Sequence, residues 1–338
     1  LKLMSLLQRQ QESESYPIRN AMVEVHGLLI KYLATSEDDV DAALNAKAGQ
    51  LNMDDDGDDT RNAREKQMDV LFERLFERFL DLTTFVRTKA IQVCGRLCDL
   101  GVRLPAQRLR MTSLAIQSLE DKSSNVRRNA IALLVKLVLT HPYGVMHGGE
   151  LNADAWTQRR DIVRSELDKA EERLTFPVTE EGEADAGIDG EGQDQGDEGI
   201  SGRMSSRRSK PRRSELDLDA LAATQQSMTH AEHEKLVKLR LTMTYYEDAL
   251  KFIHLLEQGV PILVQLLAST NKAEVLESME FFRVAHEYKI HGASDGVRAM
   301  IHLIWTKDNA LVMEDGSQLK GIRSRLIEVY RSLYFDPY

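Results

Sequence analysis

The sequence predicts an all-α protein, built as an α-solenoid of stacked helix pairs with two disordered acidic insertions. Three observations predict it. Prolines number only 7 and aromatic residues make up 6% of the chain, while Leu, Ala, Arg and Glu fill long runs, a balance that favours helix. The stretch "DLTTFVRTKAIQVCGRLCDL" (81–100) matches "DKSSNVRRNAIALLVKLVLT" (121–140) at a spacing of 40 residues, with Asp, Val-Arg and Ala-Ile in register. Each copy follows another amphipathic segment, and a helix pair recurring at about 40 residues is the HEAT or armadillo pattern. The third observation is periodicity. On a helical wheel Val126, Ala130, Leu133, Leu134 and Leu137 cluster within ~60° of one direction, and Arg128, Ala132, Val135 and Leu139 lie opposite.

Taken in order, residues 1–175 form a first block of HEAT repeats. "LKLMSLLQRQ" already reads as helix, and with no initial Met the chain is expected to be a section of a longer protein. "YPIRNAMVEVHGLLIKYL" (16–33) is an upstream repeat helix, followed by an acidic loop inserted at 36–61. "QMDVLFERLFERFLDL" and "LPAQRLRMTSLAIQSL" are the first helices of the two matching pairs. "HPYGVMHGGEL" (141–151) is a Pro- and Gly-rich helix stop, and Trp156 to Leu174 adds one more helix. Residues 176–229 form an acidic-then-basic linker with almost nothing to bury, expected to be disordered. The repeats continue over 230–338, through "YYEDALKFIHLLEQGVPILVQLLAS", "NKAEVLESMEFFRVAHEY", "GVRAMIHLIWT" and "QLKGIRSRLIEVYRSLYF".

The net charge of −10 conceals a strong patterning. Residues 37–59 carry −8 and 180–198 carry −9, whereas 203–213 carry +6. The stretch 83–140 holds 10 Lys or Arg against 3 acids, a basic segment inside an acidic total. Two adjacent arginines open its second repeat helix. A helix turns ~100° per residue, so Arg127 and Arg128 face different ways and have different jobs. In both matching repeats an aspartate precedes the first arginine by 6, Asp81 before Arg87 and Asp121 before Arg127. That spacing places the acid in the turn within the pair, in reach of the arginine, so that stacked copies make a structural ladder. Arg128 falls on the outer face with Lys136 at its edge, and Lys89 and Arg96 take that edge in the preceding repeat. Second helices line the concave surface of a solenoid. Lys89, Arg96, Arg128 and Lys136 are therefore a candidate basic strip for DNA or another partner, beside a partly apolar groove.

Several functions find no support. No run of 18 apolar residues exists to span a membrane, and no G-x-x-x-x-G-K-[ST] occurs, so any ATP dependence belongs to a partner. "NMDDDGDDTRNA" (52–63) imitates a calcium loop but ends on Ala63 where the bidentate Glu is needed. Cys94 and Cys98 sit one turn apart, poorly placed for a disulfide, with no further pair to complete a zinc site. They are expected to be buried reduced thiols, as suits an intracellular protein. His141, His147 and Glu150 make no recognisable metal or hydrolase set, and no cofactor, small-molecule substrate or catalytic group is expected. The basic linker Arg207, Arg208, Lys210, Arg212 and Arg213 reads as a localisation signal, a DNA tether or a kinase target, with Ser209 and Ser214 each following an arginine pair.

The blocks "FVRTKAIQVCGRLCDLG", "QSLEDKSSNVRRNAIALLVKLVLTHPYGVMHGGEL" and "LESMEFFRVAHEYKI…GVRAMIHLIWTKDN…GIRSRLIEVYRSLYFDP" closely resemble the HEAT-repeat subunit 1 family of condensin, in a form that looks fungal. The resemblance covers about residues 16–175 and 230–338. It implies a non-catalytic scaffold that binds the kleisin subunit, an SMC ATPase head and double-stranded DNA or chromatin during mitotic chromosome condensation. It also implies the nucleus and chromosomes as location, leaving the cytoplasm open outside mitosis. A HEAT scaffold of the transport-receptor or phosphatase type, binding protein only, is the alternative.

Overall fold

A computed structural model describes residues 10–47, 56–100, 104–144, 148–175, 230–306, 311–312, 318–319 and 321–335. Ten α-helices appear among these residues: α1 (Tyr16–Lys47), α2 (Asp56–Glu77), α3 (Thr84–Leu97), α4 (Pro105–Ser118), α5 (Ser124–Leu139), α6 (Ala153–Thr175), α7 (His230–Leu266), α8 (Lys272–Glu287), α9 (Ala293–Met300) and α10 (Ile322–Tyr334). Short 3-10 turns at Arg78–Leu80 and Ile301–Trp305 follow α2 and α9. A two-residue ribbon pairs Leu311 with Leu319 antiparallel before α10. The protein is an all-α solenoid.

The described residues fall into two compact units, one drawn from the ranges 1–160 and 244–338, the other from 161–243. Within the first, α1, α3, α5, α8 and α10 pack in that order, each on the next. The outer helices α2 and α4 back them, α2 against α1 and α4 against α5. This inner stack is what a 40-residue spacing demands: repeating the same apolar stripe lets each helix bury one side on its pair partner and two flanks on its neighbours. Val86 and Val126, equivalent in the repeat, are both 0% exposed, and each burial of this kind contributes about 1.5–3 kcal/mol. The predicted inward cluster of α5 is buried throughout, from Val126 to Leu137. Val135, placed opposite by the wheel, is buried too, because α5 is flanked by both α3 and α8. In the second unit, Arg240 of α7 pairs with Glu171 of α6 at 2.9 Å.

Within the stretch expected as an acidic loop at 36–61, the described residues are helical: α1 continues to Lys47 and α2 starts at Asp56, and residues 48–55 lie outside the described residues. Residues 176–229 lie outside the described residues, and with them the whole basic linker, Ser209 and Ser214; His147 does as well.

"HPYGVMHGGEL" does more than stop a helix. Tyr143 and Trp156 are buried, and Trp156 packs edge-on to Tyr143 and Tyr246. The indole N–H of Trp156 donates to the Glu150 carbonyl at 2.6 Å, and the Leu151 N–H donates to the Tyr288 carbonyl at 2.7 Å. Lys289 reaches the Glu150 carboxylate. These contacts clasp the segment after α5 onto α7 and the end of α8. His141 belongs to the same cluster, edge-on to Tyr288, with its Nδ1 accepting from the Tyr143 N–H at 3.1 Å. Burial holds its pKa down at about 4, so it is a neutral packing residue at physiological pH.

Candidate partner-binding site on the inner helix wall

The loops before three of the inner helices, α3, α5 and α8, are built alike. Asp81 Oδ1 accepts the Thr83 N–H at 2.9 Å, Asp121 Oδ1 accepts the Ser123 N–H at 2.8 Å, and Ser269 Oγ accepts the Asn271 N–H at 3.1 Å. Short polar side chains favour such turns because they satisfy a nearby main-chain donor.

The ladder arginines complete the pattern, with one change from the sequence expectation. Arg87 Nη1 donates to the Asp81 carbonyl at 2.7 Å, and Arg127 Nη1 to the Asp121 carbonyl at 2.6 Å. Arg19 does the same to the Ser13 carbonyl at 2.7 Å. The spacing of 6 thus serves the main chain of the residue, not its carboxylate. Each carboxylate instead receives the arginine fork of the preceding repeat: Arg19 on Asp81 at 2.8 and 2.9 Å, Arg87 on Asp121 at 2.7 and 3.0 Å. The rungs join successive pairs and do not close within one. Fork-to-carboxylate geometry needs a guanidinium, which fixes direction as well as charge. Burial pushes the Asp81 and Asp121 carboxyls up, yet the arginine hydrogen bonds and the turn N–H outweigh it and hold both below the usual aspartate range.

The third rung uses different residues. Ser269 stands at the aspartate position, and the carboxylate comes from Glu274 in the first turn of α8. Glu274 is 0% exposed, accepts from Ser269 Oγ at 2.5 Å and pairs with Arg127 at 2.7 Å. Val275 fills the arginine position, so this series of rungs ends at α8.

Between the inner helices run two grooves. One, between α1 and α3, is lined by Asn20, Glu24, Phe85, Thr88, Lys89 and Gln92. The other, between α3 and α5, takes Lys89 and Gln92 again, then Gly95, Arg96, Asn129, Ala132 and Lys136. Three of the four strip residues therefore converge on continuous grooves. They are not bare cations. Lys89 and Arg96 both reach Glu24, and Lys136 meets Asp99 at 2.6 Å. Burial pushes the Glu24 carboxyl up, but hydrogen bonds from Lys89 and Arg96 bring it below the usual range. Arg128 faces α8: burial raises the Glu277 carboxyl, and the Arg128 charge counters part of that rise. Further along, Glu280 joins α8 to α10, accepting from Arg325 at 2.6 Å and from Arg283 at 2.7 Å.

Sequence reasoning missed Glu24, Glu274 and Glu277, the acids that balance the strip and the ladder. A signal for Glu24 existed: aligning "IRNAMVEVHGLL" with "VRTKAIQVCGRL" puts Glu24 at the Gln92 position, on the groove floor. Glu274 had none, because it takes over a role held elsewhere by an aspartate at another position. Cys94 and Cys98 are free and buried, at 0% and 3% exposure, and burial raises both thiol pKa values, Cys98 to about 11.

No family model matches the chain. Among curated proteins, condensin complex subunit 1 of Schizosaccharomyces pombe is 31% identical over 339 aligned residues, covering 100% of this chain and 26% of its own length. Its Saccharomyces cerevisiae namesake is 34% identical over 274 residues, 80% of this chain and 22% of its own. The condensin-1 complex subunit CAP-D2 of Arabidopsis thaliana is 26% identical over 88% of this chain. The chain spans about a quarter of the length of the two fungal relatives. With identity above 30% to both fungal proteins across most of its length, on a frame of stacked helix pairs, the chain belongs to the condensin complex subunit 1 family.

Proposed function

We propose that this chain is part of the non-catalytic HEAT-repeat scaffold of a condensin complex, and that its inner helix wall receives macromolecular partners. The partners this family implies are the kleisin subunit, an SMC ATPase head and double-stranded DNA on mitotic chromosomes, in the nucleus. One observation carries the reading: the grooves flanking α3 share Lys89 and Gln92, which makes one long open surface across three stacked helices. Such a surface suits an elongated partner and encloses no small substrate.

DNA binding through Lys89, Arg96, Arg128 and Lys136 carries a specific cost. Lys89, Arg96 and Lys136 must each leave a carboxylate before meeting a phosphate. Reversing all four charges is expected to weaken duplex binding and to flatten its salt dependence, by a slope of about 0.9 for each phosphate no longer neutralised. Glu24→Gln should act the other way, releasing two cations and raising affinity. If a folded quadruple variant and Glu24→Gln both bind duplex DNA like the parent, the strip does not touch DNA. Affinity purification of the tagged protein tests the complex: kleisin and SMC subunits should co-purify, whereas a transport-receptor or phosphatase-type scaffold would bring down other proteins and no DNA.

A further inference from the structure

We propose that Thr35 and Ser36 form a phosphoacceptor pair for an acid-directed protein kinase, and that a phosphate there opens the C-terminal overhang of α1. The proposal is independent of the docking role given above to the inner wall.

α1 is out of scale with the helices stacked beside it. It spans 32 residues, where α3, α5, α8 and α10 span 14, 16, 16 and 13. Arg19 holds the place in α1 that Arg87 and Arg127 hold in α3 and α5, so the excess lies at the C-terminal end. Ala34, at 0% exposure, is the last buried side chain described in α1, and Thr35 directly after it is exposed. From Thr35 to Lys47 the large apolar residues are Val40 and Leu44 alone. A helix in a folded protein is held mainly by burying an apolar stripe, and a stretch with little to bury opens first. Charge adds to this. Asp41 follows Asp38 by 3 residues and Glu37 by 4, spacings at which like charges oppose a helix.

Sequence and position together make the acceptor. Ser36 is followed directly by Glu37, Asp38 and Asp39, and Thr35 meets the same acids one place later. A kinase with a basic substrate cleft recognises that order by charge complementarity. It also needs the acceptor in extended backbone, which an overhang yields at small cost and a packed helix does not. In the reaction the Thr35 or Ser36 hydroxyl oxygen bonds to the γ-phosphorus of ATP. The bond from that phosphorus to the bridging oxygen breaks, ADP leaves, and the hydroxyl proton passes to the base of the kinase.

Ser118 supplies a contrast within the same chain. Glu120 and Asp121 stand 2 and 3 places after it, so it carries an acid-directed pattern too. Yet it is 9% exposed at the end of α4, and its hydroxyl donates to the Leu114 carbonyl at 2.8 Å. Packing withholds Ser118 and leaves the overhang of α1 available.

The consequence follows from the same geometry. A phosphate adds about −1.5 to −2 charges at pH 7. On Thr35 it stands 3 and 4 residues before Asp38 and Asp39; on Ser36 it stands 3 before Asp39. The Thr35 hydroxyl donates to the Lys31 carbonyl at 3.0 Å, a bond that esterification removes. The new charge lies far from the N-terminal end of α1, where the helix dipole would favour it. The turns beyond Ala34 therefore unwind, while the rungs from Arg19 to Asp81 and from Arg87 to Asp121 stay closed.

Treatment of the purified protein with casein kinase 2 and ATP, followed by peptide-mapping mass spectrometry, tests the proposal. Phosphate should appear on Thr35 or Ser36 and not on Ser118. Glu37→Gln, Asp38→Asn and Asp39→Asn combined should slow that modification at least tenfold with both acceptors in place. Hydrogen exchange should then show the amides of residues 36–47 exchanging at least threefold faster in the phosphorylated protein, with α3 and α5 unchanged. A Thr35→Val, Ser36→Ala variant given the same treatment should keep the exchange of the unmodified parent. Absence of phosphate from both residues, equal modification of Ser118, a rate indifferent to the three neutralised acids, or unchanged exchange after modification overturns the proposal.

Discussion

The rung between Arg87 and Asp121 gives the sharpest quantitative test of how the repeats are joined. The two side chains are 15% and 14% exposed, and Asp121 also anchors the Ser123 N–H. Removing one partner of a fully buried pair costs about 3–5 kcal/mol, whereas exposed pairs are worth about 0.2–1 kcal/mol. At this intermediate burial, and with a bidentate fork, Asp121→Ala should lose about 2–3 kcal/mol. The coupling between Arg87→Ala and Asp121→Ala should be about 1–2 kcal/mol in a double-mutant cycle. The cycle between Arg87 and Asp81 should stay below about 0.5 kcal/mol, because Arg87 meets only the Asp81 carbonyl, which substitution leaves in place. Urea unfolding of the single and double variants supplies these numbers. Coupling to Asp81 equal to or larger than coupling to Asp121 would refute the inter-repeat ladder. Acid provides a check on sign: the folded Asp121 carboxyl titrates below its unfolded value. Its stabilisation is therefore complete above about pH 4 and is lost as pH falls through the depressed folded value. Asp121→Asn should lack that acid loss.

Other outcomes are expected. His26 is 2% exposed; burial and the charges of Arg78 and Arg74 set its pKa at about 4. The unfolded imidazole titrates near 6.5, so the protein should lose on the order of 3 kcal/mol as pH falls from about 6.5 to about 4. A smaller drop of Tm over that range in His26→Gln is the check, with His141 supplying a parallel contribution. Trp156→Ala empties a site that is 0% exposed and should cost about 3–5 kcal/mol by denaturant unfolding. Trp156→Phe should cost less, chiefly the bond to Glu150. Glu274→Gln should destabilise by about 2–4 kcal/mol, since it leaves the Arg127 charge opposite a neutral amide; Arg127→Met in the same chain should recover part of that loss. Native Cys94 and Cys98 should react with a thiol reagent only as fast as the protein opens, and rapid labelling of both under native conditions would contradict their burial.

The amino-acid order alone determined the helical class, the 40-residue frame and the faces that go inside. Those follow from local periodicity: Val126, Ala130 and Leu137 share a face whatever lies beside it, and the identical stripe at Val86 and Ala90 demands a stacked neighbour. It also raised the expectation of a structural role for Arg87 and Arg127 and of an outer-face place for Arg128, which in the structure lies instead toward Glu277 of α8. Which carboxylate each arginine takes was decided only in three dimensions. A spacing of 6 cannot distinguish a main-chain carbonyl from the side chain of the same residue, and the true partners lie 34, 62 and 147 positions away. Pairing of Lys89 and Arg96 with Glu24 and the handover from aspartate to Glu274 likewise arise from how one pair settles on the next. Charges at a packing boundary belong to two segments at once, and no single segment of sequence records them.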